Sequence, residues 1–354
     1  MTDWRLFFGN GKRNEEGTKQ LEKLEPPPWR KFDNQADISL DAKGNDWRWQ
    51  AMKQLTKPKD IRRGQNFRIL PEATDVINAV NAAIYLRRPL LVTGKPGSGK
   101  TSLAYAIAYE LGLGSVLSWA INARSSLQEG LYHYDALARL QDTNQNEKKD
   151  IGEYITLGSV GTAFLPSLLP RVLLLDEIDK SDINLPNELL NLFEEGQFKI
   201  AELERRSEDA QGNLEQNTSF TVYTQDREIK AQIPFSSKGW VRCYAFPIIV
   251  MTSNGERDFP PAFKRRCLRV RMPDPKKDAL TEIVKAHFGE GFFQNEKNKN
   301  KVAELVSAFR PDDNKPLERA TDQLLNTIYL LTHEVGEAEE SLKEILFRRL
   351  DLAD

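Results

Sequence analysis

Fully apolar runs recur through the middle of the chain, separated by stretches of helical period. Pro89-Leu90-Leu91-Val92-Thr93, Val172-Leu173-Leu174-Leu175 and Pro247-Ile248-Ile249-Val250-Met251-Thr252 have the composition of strands covered on both faces. Ser115–Ile121 reads as a further strand, and Cys267–Met272 as the fifth of one sheet. Between them Leu103, Ala104, Ile107, Ala108 and Leu111 mark one helical face closed by Gly112. Ala73, Val76, Ile77, Val80, Ala83 and Ile84 mark another, with Pro71 suited to its first turn. The spacing predicts a helix over 126–141 and a polar loop from Asp142 to Asp150. Strands alternating with helices predict an α/β fold, a parallel sheet flanked by helices.

Met272-Pro273-Asp274-Pro275 can continue neither strand nor helix and is read as a hinge. Beyond it only helical patterns remain, near 278–288, 300–309, 317–335 and 341–350, which predict a small all-helical C-terminal domain. Before the regular pattern, residues 1–60 carry four of the six tryptophans (Trp4, Trp29, Trp47, Trp49) and the Pro26-Pro27-Pro28 run, without periodicity. They read as an arm that docks by aromatic anchors, onto its own domain or onto a neighbouring subunit. The expected division is therefore 1–60, 61–273 and 274–354.

Composition narrows the function classes. A content of 40% apolar and 29% charged residues is that of a soluble globular protein, and the net charge of −2 argues against coating nucleic acid by bulk electrostatics. Cys243 and Cys267 have no metal spacing, and His133, His287 and His333 are scattered. No apolar run approaches 18 residues and the N-terminus lacks a signal-peptide core, so a cytoplasmic protein is expected.

The chemistry sits at the ends of the apolar runs. Gly94-Lys95-Pro96-Gly97-Ser98-Gly99-Lys100-Thr101, continued by Ser102, follows one predicted strand and opens a helix. In such a phosphate-binding loop the glycines let backbone N–H groups converge on one phosphate chain. Lys100 then reaches the β- and γ-phosphates, and the Thr101 hydroxyl ligates Mg²⁺. Asp176 and Glu177 end the 172–175 run. Asp176 is suited to hold Mg²⁺ and Glu177 to act as general base toward the attacking water, although acidic residues also suit a helix N-terminus. Asn254 ends the next run, either orienting that water or forming a turn with Gly255. Late in the domain, Lys264, Arg265, Arg266, Arg269, Arg271, Lys276 and Lys277 form a basic cluster. One of its arginines is suited to stabilise a transferring phosphoryl group; a solvated helix end and a nucleic-acid patch are the competing readings.

Together the phosphate loop, the Asp-Glu pair, the strand-terminal Asn and the late arginine pair before a helical domain resemble an AAA+ ATPase, over about residues 65–350. Within that superfamily the chain looks most like the MoxR branch. The Gly-rich Leu157–Phe164 segment leads toward the Asp-Glu strand, Asp176-Glu177-Ile178 is followed by Asp179 and Lys180, and Thr252-Ser253-Asn254 stands at the first sensor. The resemblance implies ATP and Mg²⁺, Walker A at Lys100 and Thr101, Walker B at Asp176 and Glu177, and sensor 1 at Asn254. It further implies an arginine finger at Arg266, with Arg265 the close second, and sensor 2 at Arg319. It places a helix-2 insert near 152–168, with Gly158–Leu165 as a pore-facing loop, and an enlarged pre-sensor-1 insert at 197–245. There Ser219–Tyr223 and Ile229–Ile233 alternate like a hairpin around Asp226, serving either contact with a partner or packing on the sheet. Head-to-tail self-association into a ring (hexameric in the family) or filament, a von Willebrand factor A-domain partner and a protein client are the implied partners. An ATP-controlled assembly switch and a nucleic-acid motor are the alternatives.

Overall fold

The computed structural model describes residues 3–32, 49–51, 56–69, 73–145, 149–210, 219–226, 229–313, 315, 317 and 319–332. Pro71, Trp47, His333 and the predicted 341–350 helix lie outside the described residues. From the N-terminus the elements run α1 (Glu15–Glu22), α2 (Pro58–Asn66), α3 (Thr74–Leu86), β1 (Leu90–Thr93), α4 (Lys100–Glu110), β2 (Leu117–Ala120), α5 (Leu127–Leu131), β3 (Tyr132–Tyr134) and α6 (Ala136–Asn144). Then come β4 (Ile155–Leu157), α7 (Ser159–Ala163), β5 (Val172–Asp176), α8 (Leu185–Glu195), β6 (Gln197–Lys199), α9 (Ala201–Ala210), β7 (Ser219–Val222), β8 (Ala231–Pro234), β9 (Trp240–Arg242) and β10 (Ile248–Ser253). α10 (Pro261–Arg266), β11 (Leu268–Arg271), α11 (Lys277–Phe288), α12 (Glu290–Phe293), α13 (Glu296–Phe309) and α14 (Thr321–Thr332) complete them.

Five strands form one parallel sheet in the order β11-β1-β10-β5-β2, with Leu90 opposite both Val250 and Leu268, and Ile248 opposite Val172. Every residue of β10 is buried, which is why its sequence is apolar without alternation. The period of two still sorts the side chains. Leu91, Leu173, Leu175, Ile249 and Met251 enter the core on one face; Leu90, Val92, Val172, Leu174 and Val250 enter the core on the other. A third core, built around Leu280, Val306, Phe309, Leu324 and Ile328, belongs to the C-terminal helices.

Three expectations require correction. The predicted 126–141 helix is broken into α5, β3 and α6, because Ser126 with Glu129 forms a capping box for the first and the Asp135 side chain caps the second. α6 also extends through Asp142 to Asn144, within the stretch expected to be loop. Gly158–Leu165, expected as a pore-facing loop, is a buried helical turn instead. A Cβ at Gly161 would lie 2.0 Å from the Leu131 carbonyl oxygen, and one at Gly158 2.4 Å from that of Gly130. The glycines serve close helix packing. The antiparallel β3–β4 pair precedes them, with α6, none of whose residues is buried, between its two strands in the chain. Residues 60 and 61 lie in α2, which crosses α4 so tightly that a Cβ at Gly64 would stand 2.4 Å from the Tyr105 carbonyl oxygen.

Ser219–Val222 and Ala231–Pro234 do pair as an antiparallel hairpin. Phe220, Val222, Ala231 and Ile233 bury its inner face, and a parallel bridge from Thr156 to Tyr223 joins it to β4. Arg171, almost fully buried, holds Asp226 at its turn through two hydrogen bonds of 2.7 and 3.0 Å.

The described part of the arm docks on its own domain. Leu6 and Phe7 are fully buried and donate their N–H groups to Asn81 Oδ1, while Phe8 and Gly9 donate to the two oxygens of Glu110. Trp4 packs on Tyr85 and Trp49 is buried, whereas Trp29 is 79% exposed. Burial pushes the Glu110 carboxyl up to about 7 against the downward pull of the Phe8, Gly9 and Asn10 N–H groups. The folded protein therefore keeps a proton here that the unfolded chain has lost. The stability so contributed is complete below about pH 4.5 and is lost as pH rises through about 7, amounting to about 3 kcal/mol. Thermal melts should show wild-type stability falling between about pH 4.5 and 7 and a flatter profile for Glu110→Gln. Equal slopes would dismiss Glu110 as the source.

Candidate active site

Three strand ends and one helix start meet at the C-terminal edge of the sheet. Gly97 and Gly99 have φ of +74° and +87°, left-handed values that only glycine adopts without strain. The loop they shape ends on α4, whose N-cap, Gly99, has no side chain to satisfy the first-turn N–H groups, so these remain for an anion. Lys100 is buried and folds its Nζ onto the carbonyls of Gly94 (2.8 Å) and Lys95 (2.7 Å). Burial lowers its pKa, and the negative charges of Asp179, Asp176 and Glu177 oppose that shift. Ser98 Oγ is buried without a partner among the described residues. An orphan hydroxyl beside the uncapped first turn of α4 fits a nucleoside triphosphate.

Thr101 Oγ1 donates to Asp176 Oδ1 at 2.9 Å, so the two candidate Mg²⁺ ligands already share one point at the edge of the sheet. A bound Mg²⁺ there would neutralise phosphate charge. Thr252 Oγ1 donates to the same Asp176 oxygen at 2.7 Å and accepts the Glu177 N–H at 2.8 Å. That clamp fixes both carboxylates relative to β10 and supports Glu177 in the left-handed region at φ +61°, a strained value for a non-glycine residue. The Glu177 carboxylate accepts from Lys180 Nζ at 2.9 Å, and Asn254 Nδ2 lies 3.5 Å from its other oxygen. Glu177 and Asn254 thus face the same point from adjacent strands.

Sequence reasoning gave no role to Thr252 or Asp179. Thr252 stands in the last two residues of β10, two before Asn254, and a hydroxyl at that spacing is the signal for the clamp. Asp179, almost fully buried, accepts the N–H groups of Asn254, Gly255 and Glu256 on its Oδ2 at 2.9, 3.0 and 3.1 Å. It anchors the loop that carries Asn254.

The C-terminal helices cover the phosphate loop. A Cβ at Gly97 would approach Ala320 Cβ to 2.6 Å, and Lys95 Nζ donates to the Leu317 carbonyl at 2.8 Å. Between loop, hinge and helices lies a cavity of about 630 Å³, walled by Phe67, Ile69, Val76, Met272, Ile283 and Leu325. Apolar walls beside a phosphate cradle suit a flat heteroaromatic base. Arg63, which donates to Ser102 Oγ at 3.1 Å, also lines it. Arg319 is adjacent to Ala320, but its Nη1 donates to the Ala308 and Phe309 carbonyls at the end of α13 and not to the phosphate loop.

Arg265 and Arg266 close α10, away from this pocket. Arg88 donates to both of their carbonyl oxygens, at 3.1 Å to that of Arg266. Arg266 Nε donates to Glu194 at 2.8 Å, while Arg265 is exposed. The basic cluster is not a free stripe: Lys264 pairs with Asp258 and Arg266 with Glu194.

A parallel sheet in this order carries a phosphate loop after β1, a carboxylate pair at the end of β5, an Asn at the end of β10 and a helical lid. Those features define an ATPase of the AAA+ class, which typically works with ATP and Mg²⁺. Residues 89–267, just over half of the chain, match the family described as AAA domain (dynein-related subfamily), and the chain belongs to it. No curated protein matches its sequence. No helix among the described residues is long and apolar enough to cross a membrane.

Proposed function

We propose that this ATPase is MoxR-like: it assembles head to tail and uses turnover to remodel or activate a protein client, with Arg266 as the finger acting on the neighbouring subunit's nucleotide. The observation that carries the reading is the state of Arg266. Its Nε is held by Glu194 while its two terminal amino groups have no partner among the described residues, as a pre-organised donor aimed out of its own subunit requires. The β3–β4 and β7–β8 pairs, bridged at Thr156 and Tyr223, support the branch assignment as paired inserts and offer one surface for a client. Glu177 polarises the attacking water, Asn254 orients it, and Lys100, Thr101 and Asp176 bind Mg²⁺-ATP. A von Willebrand factor A-domain protein is the proposed recruiting partner. Arg319, proposed as sensor 2, would have to leave its α13 carbonyls on lid closure.

One observation favours a second reading, an assembly switch with slow turnover: Lys180 and Asn254 already occupy the Glu177 carboxylate that must take a proton. Turnover measured against protein concentration tests both. For the remodeller, specific activity should rise steeply with concentration, Arg266→Ala should remove about 10³-fold or more with ATP still bound, and Arg265→Ala less than about tenfold. Flat activity indifferent to Arg266→Ala would defeat the finger. Uniformly slow turnover with nucleotide-dependent oligomer size would favour the switch.

A further inference from the structure

The buried Arg30 belongs to the N-terminal segment, 236 positions before Arg266 in the chain, yet both meet one carboxylate. Glu194 Oε1 accepts from Arg266 Nε at 2.8 Å, and its Oε2 lies 3.5 Å from Arg30 Nη1. We propose that Glu194 is a positioning residue for the trans-acting arginine and that the N-terminal segment, through Arg30, holds Glu194 in place. This rests on the reading of Arg266 as finger.

Arg30 is rigidly held. It follows the Pro26-Pro27-Pro28 run and is 7% exposed. It donates to the Arg87 carbonyl from Nε and Nη2, at 3.1 and 2.7 Å, and to the Phe193 carbonyl from Nη2 at 2.8 Å. Its guanidinium also stands over the Phe32 and Phe246 rings. A fixed positive charge thus sits beside the last turn of α8. Glu194 lies in that turn, where the helix dipole disfavours a carboxylate, and the two guanidinium groups offset the penalty.

The way Arg266 is held argues for positioning over masking. A carboxylate that sequestered the guanidinium would take its terminal amino groups in a bidentate pair. Glu194 takes Nε instead, orienting the plane and leaving both terminal groups available. Arg88 fixes the backbone of the same residue from behind. An arginine on a long flexible side chain gains most from such restraint, because misplacement by about 1 Å at a reacting centre costs on the order of 10²-fold.

The test uses full-length protein with Glu194→Ala, Glu194→Gln, Arg266→Ala and Glu177→Gln. Glu194→Ala should lose about 10- to 100-fold in turnover at saturating protein concentration, with affinity for a fluorescent ATP analogue unchanged. Glu194→Gln, which keeps an acceptor for Nε, should recover part of that loss. Mixing Glu194→Ala with Glu177→Gln subunits, each nearly inactive alone, should restore turnover, because the latter bring an intact arginine to the former's sites. A merely structural role for Glu194 gives no such complementation. Wild-type turnover in Glu194→Ala, or recovery on mixing for Arg266→Ala but not for Glu194→Ala, overturns the proposal and leaves the finger standing. No recovery for Arg266→Ala either removes the finger and this proposal with it.

Discussion

Glu177→Gln is expected to bind ATP with near wild-type affinity and to lose about 10²- to 10⁴-fold in turnover, the range for a positioned general base. The substitution is nearly isosteric, and its main-chain N–H still reaches Thr252 Oγ1, so the strained backbone at this position survives. What disappears is the ability to take a proton from water. The carboxamide also accepts from Lys180 less strongly than a carboxylate does, so the Lys180 ammonium, whose pKa the Glu177 hydrogen bond raises, is held more weakly. Because Asp176 and Thr101 are untouched, affinity for a fluorescent ATP analogue should stay within a few-fold while phosphate release falls. A variant that hydrolyses at the wild-type rate would mean that the base lies elsewhere. One that fails to bind ATP would mean that Glu177 supports the phosphate cradle and not the chemistry.

The parts of this site that were legible in the sequence are those in which one short segment carries both element and function. β1 with its loop and β5 with its carboxylates read directly, because a buried parallel strand is apolar throughout and its first polar residue marks the sheet edge. Asn254 read the same way at the end of β10. The region from α5 to α6 did not, since two capped helices of 5 and 9 residues around a three-residue strand mimic one helical period. The glycines at 158 and 161 misled for a related reason: their signal is close approach, and only the partner carbonyl across the packing shows which approach. Contacts across distant segments are silent in a single sequence. Phe67, Met272 and Ile283 meet around one cavity, and Arg30, Glu194 and Arg266 meet around one charge, because sheet order brings them there.

Asp179→Ala is expected to cost about 2–4 kcal/mol of stability and to slow turnover about 10- to 100-fold, through one cause. The carboxylate receives three consecutive N–H groups, from Asn254, Gly255 and Glu256, in a nearly solvent-free position. Removing it frees the loop after β10 and deprives buried Lys100 of the strongest of the three negative charges that oppose its desolvation. The stability loss stays moderate because Gly255 and Glu256 are exposed and their N–H groups can turn to water. Asn254 suffers more, since its side chain must stand at one point beside Glu177 and its backbone is no longer held. Asp179→Asn separates the two contributions. The amide oxygen still accepts from the loop, so most of the stability and the placement of Asn254 should return, while the charge facing Lys100 does not. Lys100 then keeps only the Asp176 and Glu177 charges against its desolvation, so a small part of the stability loss should persist in Asp179→Asn after turnover has recovered. Equal melting and turnover in Asp179→Ala and wild type would refute the anchor outright. Full recovery of the melting temperature in Asp179→Asn would show that the loop contacts alone account for the residue.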